Sequence, residues 1–289
     1  MIDFSVLIPV LNEAPYIKLC LDALQHQQIE RERFEIIVID NGSTDGTLDA
    51  VRSYPDVVLL HEPKPDPYLA RNRGIAAARG RILAFTDGDC RAGANWLAAL
   101  ERAFHDGADI AIGRLVHPQG SSFWLERYVD YYNTKTRWVF DRPDHEVIYA
   151  HAGNMAVRAQ VFETIGRFAE LPVAGDTEIL HRACEEMNAP VIRYVDDAVV
   201  THLEVQRLRD MLPKLFRYGA YATAANEGSR YRVLSTSERL TVALRCARDH
   251  HYGPTRVLGL LFTLAMGFVS FEWGRRRPSG GNRMGGPPG

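Results

Sequence analysis

Phe34-Glu35-Ile36-Ile37-Val38-Ile39-Asp40-Asn41-Gly42-Ser43-Thr44 decides the fold. Phe34 to Ile39 carries a strand signal without alternation, as a strand buried on both faces does, and Asn41 to Thr44 supplies turn and N-cap chemistry for a helix from Asp45. Upstream, Phe4 to Pro9 is a second short strand, and Tyr16, Ile17, Cys20, Leu21 and Leu24 follow at helical spacing within Ala14 to Gln25. Downstream, Val57 to Leu60 reads as a strand and Tyr68 to Arg79 as a helix ending at Gly80. Arg81 to Phe85 is then a strand running into Thr86-Asp87-Gly88-Asp89. Strands alternating with helices imply an α/β fold with a mostly parallel central sheet.

The later order is less regular. Asn95 to Phe104 is helical and Ala108 to Val116 a strand, and the aromatic-rich Ser121 to Phe140 reads as a helix covering one side of a cleft. Val157 to Ile165 and Thr177 to Met187 read as helices, Val191 to Val200 as a strand, and Arg207 to Tyr221 as a helix with basic residues on one face. Val257 to Phe271 is an uncharged, largely apolar run of 15 residues between Arg256 and Glu272, followed by Trp273 and Arg275-Arg276-Arg277. A membrane span needs ~20 apolar residues, and runs of ~10–14 more often mark core or interfacial helices. The tryptophan and arginines suit a peripheral contact through 256–277 at the inner face of a membrane, and a buried core helix is the alternative. The expected organisation is a domain over 1–220, a helical extension over 221–277, and a Gly/Pro-rich disordered tail over 278–289.

The 289 residues can bury a core without disulfide or metal staples, and 34 Lys+Arg interleave with 36 Asp+Glu for a net charge of −2. That balance leaves no broad basic surface for nucleic acid. The four cysteines form no CxxC pair, which fits a reducing, cytoplasmic setting, and no signal peptide is readable at Met1-Ile2-Asp3-Phe4.

The informative polar residues are Glu13, Asp40, Asp87, Asp89 and Asp176, each at or just past a strand end or opening a helix. That edge of an open parallel sheet is where ligands bind. In Asp87-Gly88-Asp89 two carboxylates in a turn can converge on one hard cation, for which Mg²⁺ or Mn²⁺ with a diphosphate is the natural occupant. Neither a P-loop nor a dinucleotide fingerprint occurs.

Ser5 to Glu13, Ile37 to Thr47, Ala70-Arg71-Asn72-Arg73-Gly74 and Asp87-Gly88-Asp89, in this order, resemble the family 2 glycosyltransferases. The resemblance covers roughly residues 3 to 220 and implies a GT-A fold, a Rossmann-like sandwich. It also implies inverting, metal-assisted transfer of a sugar from a nucleoside diphosphate, with UDP favoured, to an acceptor hydroxyl. By the same resemblance Pro9, Glu13, Asp40, Arg71 and Asp87 line the nucleotide, Asp89 and His202 hold the metal, and Gly153 and Asn154 lie at the acceptor or sugar. Asp176 is the base. The family commonly has Glu-Asp where this chain has Gly175-Asp176, and Glu178 is the substitute base. The Gln-x-x-Arg-Trp signature of processive synthases is missing at Gln206 to Asp210, so one sugar per encounter is expected. The implied partners are a nucleotide-sugar donor and a glycan or lipid-linked acceptor of the cell envelope or exopolysaccharide. Two other readings stand beside this one. An idle nucleotide-sugar-binding scaffold is hinted at by Gly175, and nucleotidyl transfer is weakened because Pro9 to Glu13 stands where a Gly-rich basic loop is needed.

Overall fold

The computed structural model describes residues 2–118, 120–142, 147–171, 174–226 and 234–277, with backbone alone for 221–226. The expected tail over 278–289 lies outside the described residues. The first half alternates: β1 (Phe4–Val10), α1 (Ile17–Gln25), β2 (Phe34–Asp40), α2 (Thr47–Arg52), β3 (Val57–His61), α3 (Pro67–Ala77) and β4 (Ile82–Thr86). The short β5 (Cys90–Ala92), α4 (Trp96–His105), β6 (Ile110–Val116) and α5 (Phe123–Phe140) follow. Then come β7 (Asn154–Arg158), α6 (Ala159–Ile165), α7 (Gly175–Glu186), β8 (Ile192–His202), α8 (Leu208–Asn226), α9 (Thr236–Asp249) and α10 (Pro254–Arg276).

The strands form one sheet in the order β3-β2-β1-β4-β7-β6-β8-β5. β3, β2, β1 and β4 are parallel and β6 runs parallel to β8, while β7 opposes β4 and β6, and β5 opposes β8. Six of the eight strands therefore point one way, as the sequence predicts. Alternate residues of β1 enter different cores. Phe4, Val6, Ile8 and Val10 pack with α1 and α4 on one face, and Leu7 packs with Tyr68, Phe85 and Ile179 on the other. This two-sided burial explains the unbroken apolar runs of β1 and β2.

Two local readings change. Val157 to Ile165 is not one helix: β7 ends at Arg158 and α6 begins at Ala159. Local pattern misses this strand because β7 is defined by the edges of β4 and β6 that it satisfies on both sides. β5, a three-residue strand, was likewise too short to leave a periodic signal. At the other end, α8 runs through residue 220, where the sequence places a boundary, and packs along α10.

Asn154, expected at the acceptor, lies in the core instead. It is fully buried, its Oδ1 accepts from Trp96 Nε1 at 2.8 Å, and its Nδ2 donates to Arg114 O at 2.9 Å and Ala198 O at 2.8 Å. A Cβ at Gly113 would collide with this amide, so glycine there leaves it room. Asn154→Ala strands three polar groups in the interior and is expected to cost about 3 kcal/mol in chemical denaturation. A loss within ~0.5 kcal/mol, typical of a surface change, would contradict that role.

Candidate active site

The sheet order reverses beside β1, where β2 lies on one side and β4 on the other, and such a reversal opens a crevice at the carboxyl ends of the strands. β1 pairs with β4 only from Phe4 to Leu7. Pro9, buried two residues beyond the last pair and lacking an N–H, gives β4 nothing to bond, and the strands part. On the other side Val10 O still accepts from Asn41 N at 2.9 Å. The loops after β1 and β2 are laced together: Asn12 N donates to Ser43 Oγ at 3.0 Å, and Thr44 N donates to Asn12 Oδ1 at 2.8 Å. Glu13 N donates to Thr47 Oγ1 at 2.8 Å. Asp40 is buried at the end of β2, accepting from Ser43 N at 2.9 Å and Gly42 N at 3.2 Å, with His61 Nδ1 at 3.1 Å. Burial works against its charge, but these bonds hold its carboxyl below the ordinary value.

β4 delivers Asp87-Gly88-Asp89 into the crevice. A Cβ on Gly88 would come within 2.9 Å of Val10 Cγ1 and 3.0 Å of Glu13 Cγ, so glycine lets the turn close onto β1. Asp87 Oδ1 accepts from Arg71 Nη2 at 2.6 Å, and the buried guanidinium keeps its Nε unpartnered. Gly153 abuts the other Asp87 oxygen, since a Cβ there would stand 3.0 Å from Oδ2.

Asp89 is pinned from a different part of the chain. Cys90 pairs with His202 across β5 and β8, Leu203 N donates to Asp89 O at 2.8 Å, and His202 Nε2 lies 3.3 Å from Asp89 Oδ2. Glu204 completes the group, because one atom each from Asp89, His202 and Glu204 falls within 4.8 Å of the others. Lys214 of α8 donates to Glu204 at 2.8 Å and stands 3.4 Å from His202 Nε2. Burial, followed by the neighbouring carboxylates, pushes Glu13 up to about 8, and burial and Asp87 also raise Asp89. Burial and then Lys214 push His202 down to about 4, so its imidazole is neutral at pH 7.

These residues fit a divalent cation. Carboxylates raised by burial and then by one another, beside a neutral imidazole, are groups that a hard or borderline ion would relieve, and the donor set suits Mn²⁺ or Mg²⁺. His202 Nδ1 is buried with no partner, so no hydrogen bond on that nitrogen fixes the tautomer.

Asp176 lies in the first turn of α7, two residues after Ala174, which is in the left-handed region at φ 64°. Its Oδ2 accepts from Ala152 N at 3.0 Å and its Oδ1 from Thr177 N at 2.9 Å. Burial raises its carboxyl despite those bonds and the nearby Arg71. Ala152 adjoins Gly153, which touches Asp87, so Asp176 and the Asp87–Arg71 pair share one wall. Tyr218 of α8 lies within electrostatic reach of both Asp176 and Asp87. Glu178, the substitute base, is instead held by Arg182 through bonds of 2.9 and 2.8 Å.

Gly175 has a steric reason. A Cβ there would lie 2.9–3.0 Å from the ring of Tyr68, which is stacked on Phe168 and sits under the Arg71 guanidinium. The departure at 175 thus accommodates an aromatic ring and leaves Asp176 in place. Glu204, Lys214, Tyr218 and Tyr68 were not singled out from sequence. For Glu204 the two-residue spacing from His202 was available as a signal, and for Lys214 the basic face of the helix.

The model of the family described as Glycosyl transferase family 2 matches residues 5–166, more than half of the chain. Glycosyltransferase AglE of Haloferax volcanii is 31% identical over 224 residues, covering 74% of this chain and 71% of that protein. Other curated glycosyltransferases match over 16% to 47% of their own length, so the chain spans less than half of each. Among solved structures, TarS 1-349 of S. aureus in complex with UDP matches with a TM-score of 0.55 at 16% identity, covering 95% of this chain and 90% of that one. The mannosyltransferase PcManGT of Pyrobaculum calidifontis, in complex with GDP-Man and Mn²⁺, matches with a TM-score of 0.58 at 21% identity, covering 92% and 75%. At these identities the structural matches carry the fold.

Proposed function

The chain belongs to glycosyl transferase family 2 and is a glycosyltransferase, and from that premise we propose that it transfers a sugar, with inversion, from a nucleoside diphosphate to an acceptor hydroxyl in cell-envelope or exopolysaccharide synthesis. The carrying observation is the convergence of Glu13, Asp87, Asp89, His202 and Glu204 at the reversal point of the sheet, with Asp176 on the neighbouring wall. Pro9, Glu13 and Asp40 border the nucleotide pocket, and Arg71 orients Asp87 toward the ribose. Asp89 and His202, with Glu204, would hold Mn²⁺ or Mg²⁺, whose charge offsets that growing on the departing diphosphate. Lys214 adds a side-chain cation at the same place. Asp176 takes the proton of the attacking hydroxyl, and its raised carboxyl makes it a better acceptor than an ordinary aspartate.

UDP leads as donor carrier because a UDP complex is among the fold matches, and a GDP-Man complex keeps GDP in contention. A cytoplasmic enzyme meeting a glycan or lipid-linked acceptor fits four cysteines without a CxxC pair and an apolar C-terminal helix. The scaffold reading loses its one hint, since the Tyr68 ring accounts for Gly175.

Calorimetric titration of UDP, GDP and dTDP, each with and without Mn²⁺ or Mg²⁺, tests the donor assignment. One nucleotide should bind at least tenfold more tightly with metal. Absence of binding by all three would overturn the reading.

A further inference from the structure

α10 faces the wrong way for a core helix. Its inward stripe is small or slender: Gly259, Leu260, Thr263, Gly267 and Gly274 are buried. Its outward stripe is large and apolar, with Leu258, Leu261, Phe262, Met266, Val269 and Trp273 all exposed, Leu258 by 68% and Val269 by 59%. Their spacing of three or four residues keeps them on one side of the helix from end to end. The surface continues onto α5, where Trp124 lies 4.9 Å, ring to ring, from Phe262, and α9 separately exposes Leu240 and Leu244 one turn apart. A contiguous apolar patch of this extent marks an interaction site.

The inward side is locked to the catalytic domain along its whole length. Phe123 covers Gly259, Thr263 Oγ1 donates to Trp124 O at 3.3 Å, and Ser270 Oγ donates to Leu212 O at 2.7 Å. Gly219 of α8 and Gly274 of α10 let the two backbones touch, the first against Phe271 O and the second against Phe216 O. α8 carries Arg209, Lys214 and Arg217. For α10 to cross a bilayer, although it is long and apolar enough, α8 and α5 would have to leave it or follow it into hydrocarbon with those charges.

Charge identifies the occupant. Arg256 stands exposed at one end of the stripe and Arg276 and Arg277 at the other, with the Arg277 guanidinium 5.1 Å from the centre of the Trp273 ring. In a two-fold pair of α10 helices, antiparallel packing sets Arg256 against the arginine cluster and parallel packing sets the cluster against itself. Either arrangement opposes like charges, whereas anionic headgroups complement both ends at once.

We propose that α10 lies flat on an anionic lipid surface, its outward stripe among the acyl chains and its terminal arginines among the headgroups, without spanning the bilayer. This deepens the proposed function by placing the acceptor side of the cleft at a membrane, because α8, packed on α10, carries Lys214 and Tyr218 to the site. Only the lipid-linked nature of the acceptor rests on the earlier reading.

The test is co-sedimentation of the full chain with vesicles of phosphatidylcholine, with or without phosphatidylglycerol. Binding should be at least tenfold stronger to the anionic vesicles, and carbonate should extract the protein. The variant R275Q/R276Q/R277Q should lose about a hundredfold on anionic vesicles and little on neutral ones. L258N/L261N/F268N, all at exposed positions, should lose binding to both. Failure to sediment, binding unchanged in the apolar variant, resistance to carbonate, or a dimer that ignores vesicles would each overturn the proposal. Nucleotide titration of the wild-type chain keeps the two readings apart: donor binding without vesicle binding removes only this one, and vesicle binding without donor binding removes only the other.

Discussion

Asp176→Asn is expected to lower turnover by about 10²–10⁴-fold, the usual worth of a positioned general base, with nucleotide affinity unchanged within twofold. The asparagine keeps the size of the side chain, and the fold should survive because the backbone donors at Ala152 and Thr177 face a side chain of the same shape. One of the two contacts then opposes an amide N–H to an N–H, costing about 1 kcal/mol. The wild-type pH profile carries a second signature. Burial raises the Asp176 carboxyl above 3.8, and the base works only when deprotonated, so kcat/KM should fall with falling pH along a limb above the usual carboxylate range. Asp176→Asn should remove that limb. A variant that keeps its turnover and its limb would assign the proton to another group, and Glu178 is a poor candidate because Arg182 already holds both of its oxygens.

Asp89→Asn should abolish the metal-dependent gain in nucleotide affinity and lower turnover by about 10³-fold, and should also raise the melting temperature of the metal-free protein. Glu13 and Asp89 are raised by burial first and by neighbouring carboxylates second, so replacing Asp89 removes a buried ionisable group and a repulsive neighbour of Glu13. The same group gives metal-free stability a pH dependence of definite sign. Glu13 titrates near 4.5 when unfolded and is pushed up to about 8 in the fold, so the folded state holds the proton more firmly. That contribution is full below pH 4.5 and is lost as pH rises toward 8. Thermal unfolding without metal should therefore show Tm falling over this window, Mn²⁺ should restore it at pH 8, and Asp89→Asn should flatten the slope. A wild-type Tm that ignores Mn²⁺ at pH 8 would argue that no ion binds there.

The first half of the sheet was legible because β1, β2 and β4 are buried on both faces and each loop carries its own turn chemistry. Phe34 to Asp40 is the clearest case, and the carboxylates after β1, β2 and β4 follow from the same register. Legibility fails where the partner is distant in sequence. β7 looks like the start of a helix until β4 and β6 stand on either side of it. Asn154 carries a motif residue's label, yet its role depends on Trp96, Arg114 and Ala198, which no local spacing connects. Glu204 and Lys214 fall short for the same reason, since each gains meaning only when β8 and α8 meet Asp89. For α10 the sequence left two environments open, and the membrane proposal rests on the orientation of the stripe, which periodicity cannot supply.

β8 has a further consequence, in the order in which the molecule can be built. It inserts between β6 and β5, so Cys90 to Ala92 joins the sheet only through a strand that begins about a hundred residues later. On the ribosome, the aspartate pair emerges early, but the Asp89 carbonyl and carboxylate meet Leu203 N and His202 only when the end of β8 arrives. Closing so long a loop is a late, slow event in folding. A nascent chain that ends before β8 can form the β1–β2–β4 side of the crevice but not the side that carries His202 and Glu204. Completion of the sheet and assembly of the Asp89–His202 contact therefore coincide.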